Sequence, residues 1–276
     1  MHSVVLIKQV PDTTEVRMDP KTGTLIRTGV PSIVNPYDVH ALEEALALRD
    51  KYGGRVTVVT MGPPQAKEAL RKCISFGADE AILLTDRAFA GSDTLSTSYI
   101  LTQAVKKISE QHPVDLVLAG KQAIDGDTAQ VGPGVATRLG FEQLTYVVKV
   151  EGVDLEKKEI TVHRLLEEGR EVIKTKLPAL LTVVKEANSI RYGSLPHVMR
   201  AVRYDPPGWN QAFIGGDLTK MGLKGSPTNV KRIFPPPTRA PGEIIPGGKE
   251  DPAAAAALLV DKLTARGAVG GKGAAQ

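Results

Sequence analysis

The sequence is short of the residues from which most catalytic and scaffolding devices are made. Cysteine occurs once in 276 residues, as Cys73, which excludes an internal disulfide and a cysteine-based metal cluster. The five histidines, His2, His40, His112, His163 and His197, stand far apart and form no metal-ligand spacing. Aromatic residues make up only 4% of the chain, and the basic residues are dispersed, not gathered on an aromatic-laced stripe, which argues against nucleic acid as a partner. No apolar run approaches the roughly 20 residues needed to cross a bilayer. Met1–Val10 lacks the flanks of a secretory signal and reads as a strand, so cytoplasm is the default location. Also missing are a GxxxxGK[ST] phosphate loop, a GxGxxG after the first strand and a GxSxG nucleophile elbow. Cys73 falls within an expected helix, where a buried thiol fits better than a nucleophile. No catalytic residue and no metal ligand is assigned.

What is present is a regular alternation of strands and helices. The near-continuous apolar run Val4–Val10 reads as a strand covered on both faces, and Arg55–Thr60, Glu80–Thr85 and Val114–Ala119 read as the strands that follow. Between and after them, Asp38–Tyr52, Pro64–Phe76, Asp93–Gln111 and Thr128–Leu139 read as helices. This order predicts a doubly wound α/β fold with a parallel sheet. From Leu144 the elements shorten to strands at Leu144–Val150, Ile160–Leu166, Arg170–Lys176 and Ala179–Val184, with a hairpin turn at Glu167-Glu168-Gly169. They read as an antiparallel extension of the same sheet.

Residues 201–276 differ in kind. They hold 9 of the 19 prolines and 12 of the 27 glycines, and their 10 Lys+Arg against 6 Asp+Glu account for the whole net charge of +4. Such a segment has too little apolar area to build a core of its own. It nevertheless carries Trp209, Phe213, Ile214, Met221, Leu223, Ile233 and Phe234. At its end Asp251-Pro252 caps and starts a helix through Arg266, closed by Gly267, with Leu259 and Leu263 on one face. An arm docking on another chain and an arm folding back on its own body both satisfy this pattern.

Ligands of open parallel sheets bind beyond the carboxyl ends of the strands, here Lys8-Gln9-Val10, Met61-Gly62-Pro63 and Gly120–Pro133. The third loop is the informative one. Gly120 and Gly126 suit close backbone approach or positive φ. The expected helix start after Asp127 is an anion site, with Thr128 and Gln130 as neutral donors. Asp125 and Asp127 would repel a phosphate directly; they read as a helix cap or turn residues, with metal binding as the alternative.

At these loops the sequence resembles one family, the beta subunit of electron transfer flavoprotein, over nearly its whole length. The matching pieces are VVLIKQVPDT at the start, VNPYDVHALEEAL at Val34–Leu46 and VTMGP at Val59–Pro63. Further on come GKQAIDGDTAQVGP at Gly120–Pro133, HRLLEEGREVIKTKLPALLTV at His163–Val183 and IRYGSLPHVMRA at Ile190–Ala201. The resemblance implies a Rossmann variant of the adenine-nucleotide alpha-hydrolase type over residues 1–190. It further implies a docking loop and arm over 191–248, and a C-terminal helix over 249–276, both meeting an alpha subunit. Carried over by position, the adenosine part of a nucleotide would meet Leu6, Asn35, Pro36, Tyr37, Asp38 and Met61. Its phosphates would lie along Gly120, Ala123, Asp125, Gly126, Asp127, Thr128, Ala129, Gln130 and Val131.

In much of the family that nucleotide is AMP. A branch associated with nitrogen fixation holds FAD there and bifurcates electrons from NADH. This sequence resembles that branch in Asn35-Pro36-Tyr37-Asp38, in DGDTAQVGP at Asp125–Pro133 and in GLKGSPTNV at Gly222–Val230. Gly126 and Ala129 replace larger polar residues of the AMP form, which would free space for a second phosphate and the flavin. Tyr37 would pack on the adenine or the ring, or is a plain surface tyrosine. The implied partners are the alpha subunit, a dehydrogenase or quinone-reductase-type protein docking at Leu195, and ferredoxin or flavodoxin as low-potential acceptor. Any association with a membrane would come through those partners. An internal packing role for Leu195 is the alternative. Two other functions remain: a non-bifurcating carrier with AMP, fed by dehydrogenases, and an adenine-nucleotide-binding module of the stress type.

Overall fold

The apolar runs become the inner strands of a nine-stranded sheet. The computed structural model describes residues 1–12, 31–231 and 241–269, and the chain divides into two units, Met1–Ile233 and Phe234–Gln276. In the first unit, β1 (His2–Ile7) is followed by a two-stranded antiparallel ribbon, β2 (Gln9–Pro11) and β3 (Ser32–Val34). Then come α1 (Pro36–Tyr52), β4 (Arg55–Met61), α2 (Lys67–Phe76), β5 (Glu80–Leu84), α3 (Thr94–Gln111), β6 (Leu116–Gly120) and α4 (Val131–Leu139). The chain continues through β7 (Glu142–Asp154), β8 (Glu159–Leu165), β9 (Arg170–Lys176) and β10 (Ala179–Val183). It then forms α5 (Leu195–Arg203), β11 (Gly208–Trp209) and α6 (Gln211–Ile214).

The sheet order is β11-β5-β4-β1-β6-β10-β7-β8-β9. From β11 to β7 every pairing is parallel, while β7–β8 and β8–β9 are antiparallel. Strand alternation sends side chains to two cores. Val5, Ile7, Val56, Val58, Leu116 and Leu118 join Leu42, Leu46, Leu70 and Ile74 of α1 and α2. Val4, Leu6, Val59, Val117 and Ala119 join Ile100, Val105 and Val135 of α3 and α4. Each such fully buried Leu or Ile contributes about 1.5–3 kcal/mol over leaving it exposed. The fold is the expected doubly wound α/β sheet.

Three details depart from the sequence reading. The first strand ends at Ile7 and not at Val10, because the backbone of Lys8 turns away from the sheet: its amide donates to Asp38 Oδ2 (2.7 Å) and its carbonyl accepts from Asn35 N (2.8 Å). Ala179–Val183 is no member of the antiparallel extension but a parallel strand between β6 and β7. Every one of its residues is buried, as a strand covered on both faces requires. The fourth helix starts at Val131, three residues late, because Ala129 takes a left-handed conformation (φ 54°) that a helix cannot include. Gly132-Pro133-Gly134 then lies inside the helix without breaking it, as Gly132 abuts Thr182 and Gly134 abuts Ser98.

The first part of the glycine-rich segment, through Thr228, folds back on this unit. β11 pairs with β5, Ile214 and Met221 enter the α3 core, and Ser226 and Thr228 bond Asp93 at the start of α3. Trp209 and Phe213 pack against each other, their rings tilted by 44° with centroids 4.8 Å apart. Ile233 and Phe234 lie outside the described residues. In the second unit, α7 (Pro252–Ala265) has Asp251 as its cap, accepting from Ala254 N at 3.0 Å, and Leu258, Leu259 and Val260 about half exposed. No helix among the described residues is long and apolar enough to cross a membrane.

Candidate functional site

β1 and β6 are neighbours, yet the connections after them leave in opposite directions, toward α1 and β4 on one side and α4 and β7 on the other. This is the switch point at which open α/β sheets form a crevice. Its walls are the segment Asn35–Asp38 opening α1 and the loop Gly120–Gln130 following β6, and side chains join the two. Asn35, fully buried, donates from Nδ2 to Gln122 O (2.8 Å) and accepts at Oδ1 from Ile124 N (3.1 Å). Asp38, buried, accepts from Lys8 N at 2.7 Å and from Gly120 N at 3.0 Å. Neither side chain caps its own helix. Gly120 is glycine because a Cβ there would strike the Asp38 carboxylate and lie 2.6 Å from the Tyr37 carbonyl carbon. The close approach expected of Gly120 is thus to α1.

The crown of the loop is a tight turn, in which Ala123 O accepts from Gly126 N (3.3 Å) and Asp127 N (2.9 Å). Asp127 (φ 49°) and Ala129 (φ 54°) are left-handed, and Gln130, in the right-handed region, caps α4 with no side-chain bond. Residues of alternating hand are the backbone pattern from which anion-binding concavities of amides are built. None of the described residues accepts from the five consecutive amides Thr128 to Gly132. A left-handed alanine costs roughly 1–2 kcal/mol, which favours this backbone only where the surrounding structure imposes it.

Asp125 and Asp127 are not helix caps. Asp125 is paired with Lys8 Nζ at 2.7 Å from both carboxylate oxygens, and Asp127 accepts from Gln122 Nε2 at 2.8 Å. No cluster of three or more His, Cys, Asp or Glu among the described residues is placed to hold a metal. Gly126 is neither left-handed nor crowded, since a Cβ there meets nothing within 4 Å; the unusual backbone falls on its neighbours instead. Thr128 and Gln130 are exposed, with Gln130 Oε1 3.5 Å from Thr94 Oγ1. Leu6, Met61 and Val131 border one core at the same edge, Ala123 is half-buried and Pro36 is exposed. Tyr37 sits half-buried in the first turn of α1 and not in a loop.

Sequence reasoning missed Tyr146. It is the extra residue of a bulge between β7 and β10, with φ 58°, an outlier for an aromatic side chain. Its amide donates to Thr182 Oγ1 (3.2 Å), and Arg164 clips the preceding Thr145 through Nε to its carbonyl (2.7 Å) and Nη2 to its hydroxyl (2.8 Å). Lys121, the second residue of the site loop, lies over the Tyr146 ring at 5.0 Å from the centroid. The signal was present: Leu144 and Val147 both point inward, three apart, which breaks the period of two.

Leu195 lies away from this crevice. It is the first residue of α5, not a loop residue; Ser194 caps the helix and α5 packs on α2. Leu195 is 73% exposed and Val202 76%, with Val198 and Met199 also exposed.

The electron transfer flavoprotein domain model matches residues 22–205. The chain belongs to the electron transfer flavoprotein family. Protein FixA of Azotobacter vinelandii is 54% identical over 265 residues, 95% of this chain and 94% of its own length. Electron transfer flavoprotein subunit beta of Clostridium acetobutylicum is 50% identical over 263 residues, covering 95% and 98%. The caffeyl-CoA reductase-Etf complex subunit CarD of Acetobacterium woodii is 52% identical over 264 residues, covering 95% and 98%. The chain is a beta-like member of the family, and its role is electron transfer.

Proposed function

We propose that this chain is the beta subunit of a two-chain electron transfer flavoprotein, that it holds FAD at the β1/β6 switch point, and that with its alpha subunit it bifurcates electrons from NADH. The observation that carries this reading is the run of five amides, Thr128 to Gly132, with no acceptor among the described residues. Two phosphates can share such a run, and the open space at Gly126 leaves room beside it. FAD, when bound, supplies the redox chemistry. The residues supply the rest. The amides and Thr128 would donate to the phosphates, Leu6 and Met61 would give the adenine an apolar floor, and Tyr37 and Tyr146 offer aromatic faces. Pairing with Lys8 removes the repulsion that Asp125 would otherwise exert on the phosphates.

In the same proposal the C-terminal helix α7 docks on the alpha subunit, and the exposed face of α5 around Leu195 docks a dehydrogenase or quinone-reductase-type partner. Ferredoxin or flavodoxin takes the low-potential electron, and the complex works in the cytoplasm. The test is reduction of ferredoxin or flavodoxin by NADH in the purified complex, coupled to reduction of a high-potential acceptor. NADH oxidation that reduces only the high-potential acceptor supports instead a non-bifurcating carrier with AMP in the crevice.

A further inference from the structure

A carboxylate in a nucleotide site invites the assumption that it touches the nucleotide. Asp38 is the exception, because both its oxygens are already taken by backbone amides, Oδ2 by Lys8 N and Oδ1 by Gly120 N. Those amides belong to the first residue after β1 and the last residue of β6, the two strands that flank the switch point. As the third residue of α1, Asp38 would ordinarily turn back on its own helix start; here it reaches down to the strand ends and bolts them at a fixed spacing. Gly120 makes this possible by having no Cβ to strike the carboxylate. Lys8, so held, projects its ammonium to Asp125 at the loop crown, and Gly120 begins the loop that carries the run of amides without an acceptor among the described residues.

We propose that Asp38 is a positioning residue: without touching the ligand, it sets the width of the crevice between β1 and β6 and so the geometry in which a pyrophosphate diester is received. This rests on reading the crevice as a nucleotide site. The brace works in the ionised state, since a protonated carboxyl would bring a donor into a pocket of donors. Burial, the largest influence, pushes the carboxyl up to about 7, against the pull of Asn35, the Lys8 and Gly120 amides and the Lys8 charge. The other charged or titratable groups facing it are Lys8 at the end of β1 and Cys73 on α2, whose thiol burial holds neutral; Asp125 acts through its pairing with Lys8.

The sign follows by linkage. With the folded value raised above the unfolded one, the contribution of Asp38 to stability is full below about pH 4 and is lost as pH rises through about 7. Ligand affinity runs the other way, because only the ionised brace is competent. Stability and affinity therefore move in opposite directions with pH, which a merely structural carboxylate would not produce.

The experiment is a titration of the purified protein, stripped of nucleotide, with FAD and separately with ADP-ribose, whose pyrophosphates do not ionise in this range. Affinity for either is expected to be about tenfold weaker at pH 6 than at pH 8, following the ionised fraction, and flat in Asp38→Asn. Equal affinity at both pH values in the wild type overturns the inference while leaving the nucleotide reading intact. Amide NMR of the nucleotide-free protein decides the matter without any ligand: the signals of Lys8, Gly120 and the loop 121–131 should shift together with a midpoint near 7. If those signals titrate but neither ligand binds at any pH, the nucleotide reading fails and Asp38 still positions the loop. If the loop signals do not follow the other two, the inference is wrong.

Discussion

The ammonium of Lys8 sits 2.7 Å from both carboxylate oxygens of Asp125, joining the end of β1 to the crown of the loop after β6. The pair is partly exposed, so its worth to stability is small. With the phosphates placed as proposed, its worth to binding is larger, because it decides which charge an incoming phosphate meets. Asp125→Asn should tighten AMP or FAD binding a few-fold by releasing Lys8 to the phosphates. Lys8→Met should weaken it by about tenfold, by leaving Asp125 unneutralised. Calorimetric titration at low and high salt checks both; effects of the same sign would contradict this placement of the phosphates.

Two glycines of one loop should answer differently to the same change. Gly120→Ala forces a Cβ against the first turn of α1 and should cost about 1–3 kcal/mol in denaturant unfolding. Gly126→Ala meets nothing and should stay within about 0.5 kcal/mol of the parent. Gly126→Asp adds a charge near the phosphates. At an effective dielectric near 20 and about 4 Å that repulsion is about 4 kcal/mol before screening. Even a third of it lowers FAD affinity about tenfold.

The strands β1, β4, β5 and β6 and the helices α1 to α4 were legible in the sequence because those strands are short, largely apolar runs and those helices have a recognisable start or stop, such as Asp93 or Gly77, whereas α5 was read as a docking loop. The loop proposed to receive the nucleotide could be singled out in the sequence by its place after β6. What the sequence could not show was how polar side chains are spent. Asn35 and Asp38 look like ligand contacts in a linear motif, yet they are consumed in holding backbone. Asp125 looks repulsive until Lys8, 117 residues away in sequence, is found beside it. The left-handed Ala129 and the bulged Tyr146 are set by tertiary packing, which local propensity does not encode.

The arm divides at its middle. Residues 205–228 belong to the body through β11, Ile214 and Met221, so truncation after Ala201 should unfold or aggregate the chain. A chain ending at Lys231 should keep its cooperative unfolding and midpoint within a few degrees, yet lose the alpha subunit in co-purification. Recovery of a one-to-one complex from that shorter chain would contradict a docking role for α7.

Leu195 is 73% exposed, so Leu195→Ala removes little buried surface and should leave the melting temperature and flavin content unchanged. Electron delivery to the dehydrogenase-type partner, followed by stopped flow, should slow several-fold. A parallel loss of stability would show instead that Leu195 packs within its own chain.

The most direct test of the central claim is the identity and amount of nucleotide released by heating the complex of this chain with its alpha subunit. The account predicts two FAD per heterodimer, one of them held at the β1/β6 crevice of this chain. One FAD and one AMP per heterodimer would contradict it.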